Sequence, residues 1–222
     1  MTAQRLPHDV QRALEAAQAA LRQAGQTSDA ARRMPMLRAA CSGIKDIAVY
    51  LSLGDGTQLI ELFSTVARLG GGAPAFDTWR EVRDVGDASA AAGSLLGILR
   101  EMPPDQALAE RALAEARSFW FDAMRPALIM ACVRHEPPDE QAALVDEAIA
   151  LARSDETPAI QAAMLAPALP YVPAAHLPRV AALAASLLAE AVLPDDFRRE
   201  LEAMIAPFLP GQADTSNGQP HP

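Results

Sequence analysis

Apolar residues recur at spacings of three and four along most of the chain, and this period constrains the fold more than any other feature. In the first segment the spaced positions are Val10, Leu14, Ala17 and Leu21. In a helix such positions share one face, whereas a strand needs strict alternation. Val, Ile, Thr and Tyr form no alternating run anywhere in the chain. We therefore predict an all-α protein, with more than roughly 60% of its residues in helices.

Composition supports this prediction. Half of the 222 residues are hydrophobic but only 5% are aromatic, so Ala and Leu carry the apolar weight. Both residues form helices readily because they lose little side-chain entropy there. The formal net charge of −9 gives an acidic surface that repels phosphate backbones, so no nucleic-acid partner is expected.

Glycine and proline divide the chain. The run Gly70–Pro74 is the clearest break, and the segment Gly54–Gly56 is a second turn. Residues 1–70 are therefore predicted to be an N-terminal helical or capping region, and residues 75–210 a region of helical repeats. Residues 211–222 carry no apolar side chain larger than that of Ala213, so we predict a disordered tail. Ser28 and Asp29 can cap the second helix, whereas Pro35 interrupts its early part and is the alternative start; residues 47–53 are expected to form a helix tail rather than a strand.

The most specific signal is an internal repeat. Residues 95–106 and 129–140 share an arginine, a Pro-Pro pair and an aspartate, with Arg100 and Arg134 standing 34 positions apart. Residues 163–170 and 203–210 match at six of eight positions, 40 residues apart. Periods of this size predict stacked helix pairs, because one pair cannot bury its own apolar face.

The architecture that this repeat predicts is a right-handed α-solenoid-like stack of helix pairs. A single compact helical bundle is the alternative. Pro167 and Pro207 stand at equivalent places inside two helical patterns and should bend both helices, because each proline removes a backbone hydrogen bond. The binding surface of such a stack would be its concave side.

The sequence Ala-Met-Leu-Ala-Pro-Ala-Leu-Pro at 163–170, preceded by Ala-Ile-Ala-Leu-Ala-Arg at 148–153, resembles bacterial HEAT-like and TPR-like helical repeats. It is especially similar to the Ala/Leu-rich repeats that follow NTPase modules in bacterial signalling proteins. The similarity covers about residues 94–210 and implies a scaffold that binds another protein. This chain lacks the NTPase module of those proteins, so their switch function is not carried over.

Catalytic and metal-binding motifs are not apparent. Gly70–Gly72 has neither the preceding strand nor the lysine of a phosphate-binding loop. His135 and Glu136 lie near Asp139 and Glu140, and a metal site can be drawn there. These residues flank a Pro-Pro pair in a turn between helices, however, where charged side chains are ordinary. No Ser-His-Asp or Cys-His set can be assembled. We predict no catalytic residue, no metal ligand and no cofactor.

Three aromatic residues are the candidate partner-binding residues: Trp79, Trp120 and Tyr171. Trp120 belongs to the run Phe119–Phe121, for which a core anchor is favoured and a binding hot spot is the alternative. The chain is thus predicted to be a non-catalytic protein–protein interaction scaffold or adaptor. The alternative is a helical small-molecule-binding protein, or an enzyme, with a pocket between helices.

The cellular location follows from what the sequence lacks. Cys41 and Cys132 lie in apolar helical segments and are expected to be packed thiols, which suits a reducing compartment. The first residues have no apolar core of a secretory signal, and no segment approaches the roughly 20 apolar residues of a membrane span. A cytoplasmic protein is therefore expected.

Overall fold

Helices account for 79% of the residues that the structure describes, and no strand occurs among those residues. The structure is a computed structural model that describes residues 7–54 and 56–209. The all-α prediction and its helix content are confirmed. The predicted tail, residues 211–222, lies outside the described residues.

Eleven α-helices follow one another through the described residues, with short links between them. They are α1 (His8–Gly25), α2 (Ala30–Ser52), α3 (Thr57–Arg68), α4 (Gly72–Val82), α5 (Ala88–Glu101), α6 (Gln106–Ser118), α7 (Arg125–Val133), α8 (Pro138–Ala152), α9 (Pro158–Leu165), α10 (Leu177–Glu190) and α11 (Asp195–Ile205). Three short 3₁₀-helices cover Asp122–Met124, Ala166–Tyr171 and Ala206–Phe208.

Aspartate side chains cap the starts of α2, α5 and α6. The carboxylate of Asp29 accepts the backbone N–H of Ala31 at 2.8 Å and begins α2. Asp87 begins α5 in the same way. The predicted cap at Asp29 is therefore confirmed, and the alternative start at Pro35 is wrong, because the cap places Pro35 inside the helix. The predicted helix tail is confirmed, since α2 continues to Ser52.

The chain forms two compact units, divided between Ala112 and Leu113 within α6. The proposed region boundary near residues 70–75 stays a prediction. In the first unit this segment is a tight turn, where the N–H of Gly71 donates to the carbonyl of Val66 at 2.9 Å. A Cβ on Gly71 would lie 2.7 Å from Val66 Cγ1, and Gly70 has a φ of 93°, so the turn needs glycine.

The core of the first unit lies between alternate helices as well as consecutive ones. α1 packs on α2, α3 packs on α5, and α2 contacts both α3 and α4. Aromatic side chains fill the space between them, with Phe63, Phe76 and Trp79 fully buried. Gly93 on α5 faces Ile60 on α3, and a Cβ there would lie 2.5 Å from Ile60 Cδ1. Because glycine has no side chain, this position of α5 lets α3 and α5 approach closely.

The second unit follows a similar pattern. α7 contacts α8 and α9, α9 packs on α10, and α11 contacts α10 and the 3₁₀-helix Ala166–Tyr171. The apolar face of α8 is buried at four positions, and Ile149 beside them is half-buried. The buried positions are Leu144, Val145, Ala148 and Ala152.

Pro167 and Pro207 produce the same change in two helices. α9 passes into a 3₁₀-helix at Ala166, and α11 does so at Ala206. Proline cannot donate the i→i−4 hydrogen bond, so the last turn takes the tighter 3₁₀ form instead. The two copies of the eight-residue match therefore have equivalent local structures.

Candidate functional site

Trp79 is a core residue of the first unit. Its side chain is 1% exposed, and its indole N–H donates to the carbonyl of Ala91 at 2.8 Å. The ring stacks on Phe76 with 5.7 Å between centroids, and the guanidinium of Arg83 lies 5.7 Å from its centre. Trp79 is therefore a core side chain, and its ring is not exposed on the first unit.

Trp120 lies on the surface of the second unit. It is 54% exposed, in the link between α6 and the 3₁₀-helix Asp122–Met124. Tyr171, the third candidate, is half-buried at the end of the 3₁₀-helix Ala166–Tyr171. Among the aromatic candidates, Trp120 therefore presents the most accessible ring.

The turn that carries Trp120 is held on both sides. Phe119 is buried and anchors the turn, with its ring 5.9 Å from that of Trp120. The side chain of Arg125 donates to the carbonyl of Phe119 at 2.5 Å and pairs with Asp122 at 2.7 Å. Phe119 is therefore the core anchor of the aromatic run, whereas the ring of Trp120 is exposed.

Both cysteines are buried thiols without a disulfide. Burial raises the pKa of Cys41, and it raises the pKa of Cys132 to about 12, with a further contribution from the negative charge of Glu136. The nucleophilic form of cysteine is the thiolate, which these environments disfavour at neutral pH. Neither residue is suited to nucleophilic catalysis.

The four residues considered as a possible metal site lie in and after the turn that follows α7, and they differ in exposure. His135 and Glu136 are both buried, whereas Asp139 and Glu140 are exposed at the start of α8. The predicted position of these residues between two helices is confirmed. Two of them are buried, however, and the other two are exposed to solvent. Within the described ranges, no group of three or more His, Cys, Asp or Glu side chains is arranged to hold a metal ion.

The grooves that the described residues form include three that each lie within one unit. Two have volumes of about 190 Å³ and mixed polar and apolar walls; one lies between α1 and α3, and the other beside the Gly70–Pro74 turn. The third, of about 320 Å³, is mainly apolar and lies between α10 and α11. We call it the C-terminal groove; its lining residues are Ala185, Leu188, Ala189, Arg198, Glu202, Ile205, Ala206 and Leu209.

Arg198 fixes the geometry of the C-terminal groove. Its guanidinium donates to the carbonyls of Leu188 and Ala191, at 3.0 Å and 2.5 Å, and so satisfies the C-terminal end of α10 from α11. The sequence interpretation missed this groove. The sequence carries no direct signal for it, because the groove forms where α10 and α11 pack side by side and periodicity does not show which helices meet.

Comparison with known protein families, curated proteins and solved structures gave no match. The function is therefore argued from the geometry of the exposed tryptophan and the groove. Among the residues described, no helix combines the length and the apolar character that a membrane crossing requires.

Proposed function

We propose that this protein is a non-catalytic adaptor that binds another protein through a surface centred on Trp120. The observation that carries the proposal is the exposure of the Trp120 side chain, 54%, on a turn that Phe119 and Arg125 hold in place. Tryptophan is the residue type most enriched among interface residues that dominate binding energy. A tryptophan ring supplies a large contact area, and a turn already ordered loses little entropy on binding.

The scaffold proposed for this surface is a stack of helix pairs, as in HEAT-like and TPR-like repeats, with the right-handed solenoid form. Contacts between alternate helices within each unit support it: α1–α3, α3–α5 and α2–α4 in the first, and α7–α9 in the second. In stacked pairs each helix meets its counterpart in the next pair, which produces this pattern. A single bundle around one shared core is the alternative arrangement.

Three ion pairs add support, because each joins the second helix of one pair to the second helix of the next. Their sequence separations, 34, 30 and 33 residues, are close to the repeat period. They are Asp77–Arg111, Arg117–Glu147 and Asp146–Arg179. All are solvent-accessible pairs of a kind that contributes about 0–1 kcal/mol, so they bear on helix arrangement more than on stability.

Site-specific photo-crosslinking tests the adaptor function. A photoreactive amino acid replaces Trp120 in the full chain, and the matched control places it at Leu53, an exposed apolar residue of the first unit. We expect position 120 to form a discrete adduct with one protein in native lysate, and position 53 to form none. Excess wild-type chain should compete with the adduct, and excess Trp120→Ala chain should not. Equal adducts at both positions, or none at position 120, would refute the proposal.

A small-molecule site is the second candidate, and the C-terminal groove is its best location. Its volume of about 320 Å³ is near the lower end of the usual range of ligand pockets, roughly 300–1,000 Å³. The groove has only two charged residues, Arg198 and Glu202, and the guanidinium of Arg198 is already bonded to backbone carbonyls. Convergent polar groups that would orient a ligand are thus few, which favours the adaptor.

A further inference from the structure

The groove between α1 and α3, which we call the α1–α3 groove, is open although its lining residues have the spacing of packed helix faces. Gln18, Leu21 and Arg22 line it from α1, and Gln58 begins a set on α3 at intervals of three, four and seven residues. Positions at these intervals share one helix face. α1 and α3 nevertheless contact each other less extensively than α1 contacts α2 or α3 contacts α5. The buried side chains of Leu21 and Leu62 form the base of the space between them.

Hydrogen-bonding groups converge on this base from both helices. Gln18 on α1 and Gln58 on α3 are half-buried, and across the described part of the chain neither side-chain amide bonds to another protein group. The half-buried Thr65 also lines the groove. Its hydroxyl accepts a hydrogen bond from Arg68 at 3.3 Å and keeps its own hydrogen to donate. Donors and acceptors on both walls are thus available to a bound molecule.

Opposite charges stand on the two walls of the α1–α3 groove without neutralising each other. Arg22 lies on α1 and Glu61 on α3, and both are exposed. No ion pair joins them, and neither pairs with any other side chain of residues 7–54 and 56–209. In the same unit, by contrast, Arg111 pairs with Asp77. A free anion would be repelled by Glu61 and a free cation by Arg22, whereas a molecule with both charges is attracted by both.

We propose that the α1–α3 groove binds a small zwitterion of the free α-amino acid class. The carboxylate of the ligand pairs with Arg22, whose guanidinium presents parallel N–H donors, and its ammonium group pairs with Glu61. The side chain of the ligand lies over the apolar base, where the amides of Gln18 and Gln58 offer hydrogen bonds.

The volume of the α1–α3 groove sets the size of the ligand. At about 190 Å³ it is below the roughly 300–1,000 Å³ of pockets for drug-sized ligands, so the ligand is small. Such a ligand differs in kind from one that would fit the larger and mainly apolar C-terminal groove. The α1–α3 groove belongs to the first unit, so this proposal is independent of the Trp120 surface on the second.

Isothermal titration calorimetry of the full chain tests the proposal. The probes are the standard L-amino acids, each titrated separately at low ionic strength, because salt screens exposed charges. We expect at least one of them to bind saturably with one-to-one stoichiometry. Two derivatives of that amino acid are matched controls, since the N-acetyl form has no ammonium group and the primary amide has no carboxylate. Each derivative should bind at least about fivefold more weakly than the parent.

Four variants locate the site. Arg22→Gln and Glu61→Gln each remove one charge from the groove and should weaken binding at least about fivefold. Arg12→Gln and Glu15→Gln make the same changes at exposed positions of α1 outside the lining, and both should bind as wild type does. Because Arg22 is assigned to the carboxylate, the primary amide should bind Arg22→Gln about as weakly as it binds wild type. Circular dichroism checks that each variant is folded.

Three results would overturn this inference. They are the absence of saturable binding by any of the amino acids, equal affinity for the parent and its two derivatives, and equal loss of affinity in Arg22→Gln and Arg12→Gln. Crosslinking at Trp120 is a separate measurement on the second unit. A positive crosslink without amino-acid binding removes the zwitterion site and leaves the adaptor proposal in place.

Discussion

At the scale of single residues, two tryptophans that look alike in the sequence have opposite environments. Trp79 shares a face of α4 with Ala75, Phe76 and Val82, at the spacings of a buried stripe, so its burial could have been predicted. Trp120 follows the end of α6, where no helical period applies. Its exposure depends on how the turn packs, which the sequence does not reveal.

Truncating the two tryptophans should have very different effects on stability. Trp79→Ala removes a buried ring and its hydrogen bond to Ala91, and should cost about 3–5 kcal/mol of unfolding free energy. Trp120→Ala removes an exposed ring and should change that free energy by less than about 0.5 kcal/mol. Urea titration followed by circular dichroism measures both. A large loss from Trp120→Ala would mean that the ring has a structural role.

The buried thiol of Cys132 should make stability depend on pH in the alkaline range. Its pKa is raised from 9.0 to about 12 in the folded protein. Above pH 9 the unfolded chain therefore loses a proton that the folded chain keeps, and folding becomes less favourable by up to about 1.4 kcal/mol per pH unit. Stability from this group is intact below pH 9 and is lost as pH rises towards 12.

The measurement compares wild type with Cys132→Ala by urea titration at pH 8 and at pH 10.5. Wild type should be the more stable at pH 8, because the substitution leaves a small cavity. The difference in unfolding free energy between wild type and Cys132→Ala should be smaller at pH 10.5, since the variant has no thiol to ionise at this position. A constant difference between the two proteins would show that the thiol ionises normally in the folded state.

At the scale of helices, periodicity predicted where helices form but not which faces meet. Apolar spacing and the Asp29 and Asp87 caps are local signals, so helix positions followed from the sequence. The close contact of α3 with α5 depends on Gly93 and Gly97 meeting Ile60 and Ser64. The sequence shows two glycines four residues apart in a helical stretch, but it does not identify the facing helix.

Gly97→Ala should destabilise the protein even though alanine is the better helix former. In a helix interior this change ordinarily gains about 1 kcal/mol. Here the added Cβ would overlap Ser64 Oγ, and overpacking costs about 1–3 kcal/mol. Ser64→Ala removes the overlapping atom, so the double variant should be more stable than Gly97→Ala alone. Thermal melts of wild type, the two single variants and the double variant measure the coupling between the two positions. Purely additive effects would contradict the packing described.

At the scale of the whole molecule, the sequence predicted the fold class and the equivalence of two segments. The match between residues 163–170 and 203–210 corresponds to two helices that change to 3₁₀ form at Pro167 and Pro207. The C-terminal groove was not predicted, because it results from the way α10 and α11 pack side by side. Matching segments in a sequence identify similar helices but not the surfaces that form between them.

Leu165 and Ile205 distinguish a stack of helix pairs from a single bundle. They stand at matching positions of the two eight-residue segments, and both are buried: Leu165 is 0% exposed and Ile205 is 2% exposed. α9, which carries Leu165, contacts α7, α8 and α10, whereas Ile205 lines the open C-terminal groove. Leu165→Ala should cost about 2–5 kcal/mol, and Ile205→Ala should cost less because fewer neighbours surround it.

Hydrogen exchange shows how far each change spreads. In a stack, where each pair contacts mainly its neighbours, Ile205→Ala should lower amide protection in α10 and α11 while α7 and α8 keep theirs. Leu165→Ala should lower protection on both sides, from α7 to α10. In a bundle with one shared core, either change would lower protection in all helices together, since unfolding would be cooperative throughout. Uniform loss of protection after Ile205→Ala would therefore reject the helix-pair stack.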